Sequence, residues 1–351
     1  MNEIGIVASS AYVPAASRGL VQLLAERQPH AEGRTARFLH ACFEENLRMH
    51  GIARTALDAA QAGHDAPTLQ EVTGMVAVAS EPALEASELL LRVTRDLLQP
   101  AGEATVPPVS TFLVCHTCLE NDVTISAACR LQSELQQGHV PFAIGQLQGA
   151  TFLMALSLAA DLMATSTDDR IVVAAAERWS WPYTRVIGHT TLLGDGAGAV
   201  LLERGCTRGW MLRAVRVQTP PPTAEVYRHI VQGQPLPLNL DGLCALILDT
   251  LREAGCSPRD IAILVPHQLS RHLADCVRRR CGLHKAWCGP ADILDGGYLC
   301  AAEVPVRMHR LLQQAVAHPG DRMLLWGLGF EGALACAVLE YVDQGVSHGN
   351  H

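Results

Sequence analysis

The chain of 351 residues has no run of about 18 apolar residues, the length a helix needs to span a bilayer, so no membrane segment is expected. Its first residues, MNEIGIVASSAYVP, lack the positive n-region and apolar core of a secretion signal, which points to the cytoplasm. Positive charge is not in excess. The 27 Lys and Arg face 35 Asp and Glu for a formal net charge of −8, which argues against a nucleic-acid partner. The basic cluster Arg278, Arg279 and Arg280 reads as a solvated helix face. A metal-ligand pattern is also missing. Cys115 and Cys118 flank His116 in a lone C-x-x-C with no second pair, so neither metal nor cofactor is expected. The 12 cysteines read instead as reduced and mostly buried thiols. One further absence matters most. FAIGQLQGAT (142–151) turns from a strand into the apolar run LMALSLAADLM without an acid, a base or a cysteine.

What is present is a well-packed globular composition, 49% apolar and only 18% charged, in a chain long enough to bury a large core. Short β-rich runs alternate with helical ones. Strands are predicted at 3–9, 74–79, 111–115, 141–145, 171–177 and 198–204. Helices are predicted at 126–138, capped by Ser126 and ended by Gly138, and at about 150–165. After a turn-rich boundary near 203–209 the alternation restarts. Strands follow at 211–218, 261–266, 322–327 and 333–342, with helices at 240–255, 269–282 and 304–317. Two such runs imply two similar α/β halves packed together, 1–205 and 206–342, followed by a disordered tail at 343–351. The Pro-rich stretch 218–237 reads as an excursion over the surface.

Five segments, taken in order, resemble the ketoacyl-ACP synthase III branch of the thiolase-fold superfamily. SAACRLQSEL (126–135) is similar to the helix preceding the nucleophile strand, and HTTLLGDGAGAVLLE (189–203) to the glycine-rich loop and its strand. VPHQ (265–268) resembles the histidine motif. GGYLCAAEVPV (296–306) and WGLGFEGALA (326–335) stand in the places of the asparagine loop and the C-terminal glycine loop. The resemblance runs from residue 3 to about 342. It implies an α/β thiolase fold, five-layered αβαβα from two pseudo-repeated halves, usually dimeric.

In that family a cysteine at the N-terminus of a buried helix carries the acyl group, where backbone N–H groups and the helix dipole favour thiolate. A histidine and an asparagine stabilise the enolate formed from a malonyl donor. By resemblance His267 is the histidine. The cysteine is absent: counted from the strand, Gln148 takes its place, and counted back from the helix, Gly149 does. Neither can form a thioester, and Thr151 has no evident base beside it. Tyr298 stands in the asparagine's place, as a hydrogen-bond donor or as an aromatic filler. A backbone oxyanion hole is expected from Gly149 and Gly329. Gly194, Asp195, Gly196 and Gly198 read as shaping their loop, with Asp195 bracing a turn.

Cys115 and Cys300 are candidates near the substrate, with a buried structural thiol as the default, and Trp181 belongs with Trp179 and Tyr183 to a cluster that lines the pocket or packs. The expected activity is therefore that of a divergent ketoacyl-ACP synthase III-like acyltransferase without a cysteine acyl-enzyme. It would act on acyl- or malonyl-thioesters of CoA or acyl carrier protein in fatty acid or polyketide-type specialised biosynthesis. Decarboxylation by Gln148 with His267, or direct transfer with His267 as base, would suit it. The alternative is a catalytically silent subunit that pairs with a cysteine-bearing homologue. A homodimer is expected, or a heterodimer with such a homologue.

Overall fold

The computed structural model describes residues 4–25, 66–99, 108–120, 122, 124–138, 141–180, 185–187, 191–219, 239–269, 271–290, 292, 295–330 and 332–345. Its strands are β1 (Ile4–Tyr12), β2 (Ser17–Gly19), β3 (Ala77–Ala79), β4 (Thr111–His116), β5 (Pro141–Gly145), β6 (Arg170–Glu177), β7 (Val186–Ile187), β8 (Thr191–Leu192), β9 (Gly196–Arg204), β10 (Arg208–Gln218), β11 (Ile261–Leu264), β12 (Arg322–Leu328) and β13 (Leu334–Asp343). Its helices are α1 (Leu20–Ala25), α2 (Ala66–Thr73), α3 (Ala86–Leu98), α4 (Ala127–Leu135), α5 (Thr151–Thr165), α6 (Leu240–Glu253), α7 (Arg271–Arg280) and α8 (Glu303–Leu312). The Pro-rich excursion, Trp181, Tyr183 and all but the first residues of the expected tail lie outside the described residues.

Nine strands form one sheet in the order β11-β12-β13-β10-β1-β9-β6-β4-β5. Cut between β10 and β1, it shows two versions of one pattern. From β1 outward the pairings run antiparallel to β9, antiparallel to β6 and parallel to β4, ending with β5. From β10 outward they run antiparallel to β13, antiparallel to β12 and parallel to β11. The parallel inner strands are apolar on both faces, as IVVAAAE in β6 shows, because helices cover both sides.

Those helices complete five layers. Between the two sheet halves lies α5, packed on β4 and β6 of one half and on β10, β12 and β13 of the other. It shares this layer with α8, which meets β1, β9 and β12. A helix pressed from both sides has no solvent face to keep polar, and that is why FLMALSLAADLM is apolar nearly all round. Phe152, Leu153, Leu156 and Met163 are fully buried. Outside, α3 and α4 cover the first half and α6 and α7 the second. The αβαβα architecture expected from the sequence is thus present.

Boundaries shift where caps decide them. Ser126 caps α4 by accepting the Cys129 N–H, but the helix stops at Gln136, in left-handed conformation, two residues before Gly138. The last helix begins at Glu303 and ends at Leu312, shorter than its periodicity implies. The glycine-rich loop is braced by Asp195. It takes both terminal nitrogens of Arg185 at 2.8 and 2.7 Å and the backbone N–H groups of Glu81 and Trp179, each at 2.7 Å. Beside it Gly194 has no room for a side chain, since a Cβ there would lie 1.9 Å from the Gly296 carbonyl oxygen. Removing one partner of a buried pair leaves an uncompensated charge. Asp195→Ala should therefore lower unfolding free energy by about 3–5 kcal/mol in denaturant titrations; a loss of under about 1 kcal/mol would show that the brace is dispensable.

Candidate active site

Four backbone segments meet at the N-terminal end of α5. The first is the 3-10 turn Gln148–Ala150 that leads into the helix. Its left-handed residue is Gln148, at φ 43°, and that kink turns residue 149 toward the protein centre. The second is the loop after β11, carrying His267. The third, Gly296–Ala302, carries Tyr298 and is tied to the glycine-rich loop by Tyr298 N–H to Leu192 O (2.9 Å) and Gly194 N–H to Tyr298 O (3.0 Å). The fourth is the end of β12 with the turn that follows it, where Gly327, still in the strand, lets the Gly149 carbonyl approach: a Cβ on Gly327 would lie 2.0 Å from that oxygen.

The structure separates the two residues that compete for the nucleophile's place. A Cβ on Gly149 would lie 2.6 Å from Tyr298 Oη, 2.9 Å from His267 Nε2 and 3.0 Å from the Leu328 carbonyl oxygen. Residue 149, not 148, faces the histidine. Gln148 is turned to the fourth segment, its Oε1 accepting the Phe330 N–H at 3.0 Å. The expectation that Gln148 acts beside His267 is corrected by that hydrogen bond.

His267 is 1% exposed, its ring stacked on Trp326 with centroids 4.6 Å apart and tilted against Tyr298 at 5.1 Å. Its Nδ1 accepts the Leu269 N–H at 3.3 Å, and its Nε2 has no hydrogen-bond partner among the described residues. Burial pushes the imidazole down to about 4, with the Glu303 carboxylate pulling it up and the Arg307 guanidinium pushing it down. At neutral pH the ring is uncharged.

Tyr298 is fully buried. Its phenol oxygen lies against Gly149, 2.6 Å from where a Cβ on that residue would sit, and makes a long contact, 3.5 Å, to the Leu328 carbonyl. Burial holds the phenol well above its usual pKa, so it stays protonated. The expected oxyanion hole is therefore incomplete. The Tyr298 hydroxyl crowds the space beside Gly149, and the second expected donor, Gly329 N–H, is bonded to Ala333 O at 2.8 Å. Gly329 closes its own turn and does not face a substrate.

Cys115 and Cys300 are both fully buried, and burial raises both thiols far above the ordinary range. Cys115 Sγ sits 3.9 Å from the Thr151 carbonyl. Neither is exposed to a substrate, and both pack as core. Trp181 lies outside the described residues, while Trp179 is buried. Among the described residues no group of three His, Cys, Asp or Glu could hold a metal ion.

Two buried carboxylates near the site escaped the sequence reading. Glu303 Oε1 accepts the Gln268 N–H at 2.8 Å and Oε2 the Leu299 N–H at 2.9 Å, so one carboxylate holds the residues following both His267 and Tyr298. Arg307 pairs with it and holds Gly297 O at 2.6 Å. The i,i+4 spacing of Glu303 and Arg307 was the available signal. Glu177, at the end of β6, accepts N–H groups from Thr117, Cys118 and Ala301. Burial, opposed by those donors, raises its carboxyl to about 7.

The family model for 3-oxoacyl-[acyl-carrier-protein] synthase III matches residues 146–220, and the model for its C-terminal part matches 251–341. The beta-ketoacyl-[acyl-carrier-protein] synthase III of Gloeobacter violaceus is 28% identical over 284 residues, covering 71% of this chain and 81% of that protein. The chain is a ketoacyl-ACP synthase III-like protein. The corresponding synthase of Erythrobacter litoralis is 27% identical over 265 residues, covering 69% and 80%. Among solved structures, 3-oxoacyl-[acyl-carrier-protein] synthase III from Aquifex aeolicus has a TM-score of 0.71 at 16% identity, covering 96% of this chain and 100% of that one. The acyltransferase ChlB3 has a TM-score of 0.71 at 20% identity, covering 97% and 98%. These structures share the thiolase fold with this ketoacyl-ACP synthase III-like chain.

Two opposite pH dependences follow for stability. His267 has a folded pKa below its unfolded value of about 6.5, so its contribution is complete above pH 6.5 and is lost as pH falls to about 4. Relative to His267→Gln, the protein should lose about 3 kcal/mol over that window. Glu177 has a raised folded pKa, so its contribution is complete below about pH 4.5 and is lost as pH rises through about 7. Relative to Glu177→Gln, the loss should again be about 3 kcal/mol. Urea unfolding across pH 4 to 8 reads both, and pH-independent differences would refute these assignments.

Proposed function

We propose that this chain is a catalytically silent ketosynthase III-like subunit of fatty acid or polyketide-type biosynthesis, acting in the cytoplasm and pairing with a cysteine-bearing homologue. The observation that carries this reading is the Tyr298 phenol seated against Gly149. At the spot where a thioester would be held there is no nucleophile, and the space one would need is filled by the protein itself.

The edge strand supports the pairing. Among the described residues β5 pairs only with β4, on one side. Phe142 on that strand is 39% exposed. An edge strand that carries an exposed apolar side chain suits a second subunit that extends the sheet.

The unpartnered His267 Nε2 favours a second reading, direct acyl transfer from a CoA or carrier-protein thioester to an acceptor bound beside that nitrogen. Purified chain incubated with acyl-CoA and acyl carrier protein separates the two. A silent subunit forms no adduct by intact mass and no product, and it copurifies with a cysteine-bearing homologue through an interface that Phe142→Asp breaks. A transferase turns over alone, and His267→Ala lowers its rate by about 10²–10⁴-fold.

A further inference from the structure

We infer that Tyr298 is the stopper of this site, and that residue 149 is glycine because the Tyr298 hydroxyl fills the space a side chain would need. The inference rests on the reading that the chain as it stands carries no acyl group, and it goes further by naming what keeps the site closed.

Glycine is usual where φ is positive or where backbone approaches closely. Gly149 is not in the left-handed region; that conformation falls on Gln148. The turn itself therefore admits a side chain at 149. What forbids one is contact, foremost with Tyr298 Oη at 2.6 Å. The other two close atoms differ in kind. His267 Nε2, at 2.9 Å, belongs to a ring wedged between Trp326 and Tyr298, so it can shift once the phenol is gone. The Leu328 carbonyl, at 3.0 Å, requires only a few tenths of an ångström.

Shortening residue 298 frees that space. The helix start, the imidazole with its unpartnered Nε2 and the Glu303 clamp on both loops all stay in place. Positions 149 and 298 thus act as one unit. A thiol introduced at 149 becomes an acyl acceptor only when Tyr298 is also shortened. Its sulfur then bonds to the carbonyl carbon of an acyl-CoA, the bond from that carbon to the CoA sulfur breaks, and the proton passes through His267 to the departing CoA thiol.

The test uses full-length protein and acetyl-CoA. Wild type, Gly149→Cys, Tyr298→Asn and the paired Gly149→Cys/Tyr298→Asn variant are compared by intact mass and peptide mapping. Only the paired variant should gain one acetyl group at position 149, at a rate about 100-fold or more above Gly149→Cys alone. Equal acylation of Gly149→Cys alone and the paired variant overturns the inference, as does a folded paired variant that stays unmodified. Acylation of wild type defeats the silent reading and leaves the coupling to be judged separately. That judgement comes from melting temperatures. Gly149→Ala should lower the midpoint by about 2–6 °C in wild type and by clearly less in a Tyr298→Ala background. Equal shifts in the two backgrounds overturn the inference even if the cysteine variants fail to fold.

Discussion

The close packing of the Tyr298 hydroxyl against Gly149 is the contact around which this molecule's central site is organised. The first turn leading into α5 is buried, and α5 itself is pressed between two sheet halves. Space left empty in such a place costs stability, because its lining loses contacts. Here a phenol fills it. The site has the backbone geometry of a reaction centre and the packing of a core.

Holding a tyrosine at that point takes most of the surrounding architecture. Its backbone is paired on both sides to the glycine-rich loop, at Leu192 O and Gly194 N–H. That loop is in turn fixed by Asp195 on Arg185. From below, Glu303 grips Leu299 and Gln268 with its two oxygens, and Arg307 grips Gly297. A buried ion pair is weak evidence for stability in itself. The partners of this one are backbone groups of the two loops that carry Tyr298 and His267, so its consequence is their relative position.

Two α/β halves were legible in the restarting alternation of strands and helices, and the five layers through the family resemblance; the apolar faces of α5 and β6 fit elements covered on both sides. His267 was legible through its setting in VPHQ, and the missing cysteine through its absence from the strand-to-helix turn. The choice between Gln148 and Gly149 was not, because counting from either flank ignores which residue takes the left-handed kink. The loss of Gly329 as a donor was hidden for a related reason: its N–H closes the turn with Ala333, a matter of loop geometry and not of residue type. Tyr298 could be read as a filler or as a donor, and its contact with Gly149 joins residues far apart in the chain.

Backbone and side-chain contributions to this centre are separable, so the fold persists with glycine and tyrosine at positions 149 and 298. A glycine in a helical turn costs about 1 kcal/mol relative to alanine, a modest amount for a chain with so large a core. An empty space beside a buried imidazole costs more, because its lining loses contacts. Tyrosine at 298 removes that loss, its ring filling volume against His267 and Phe330. Once that ring is in place, a side chain returning to 149 meets it at 2.6 Å. The glycine and the tyrosine each make the other the stable choice, and neither substitution alone gives an acyl acceptor with room to react.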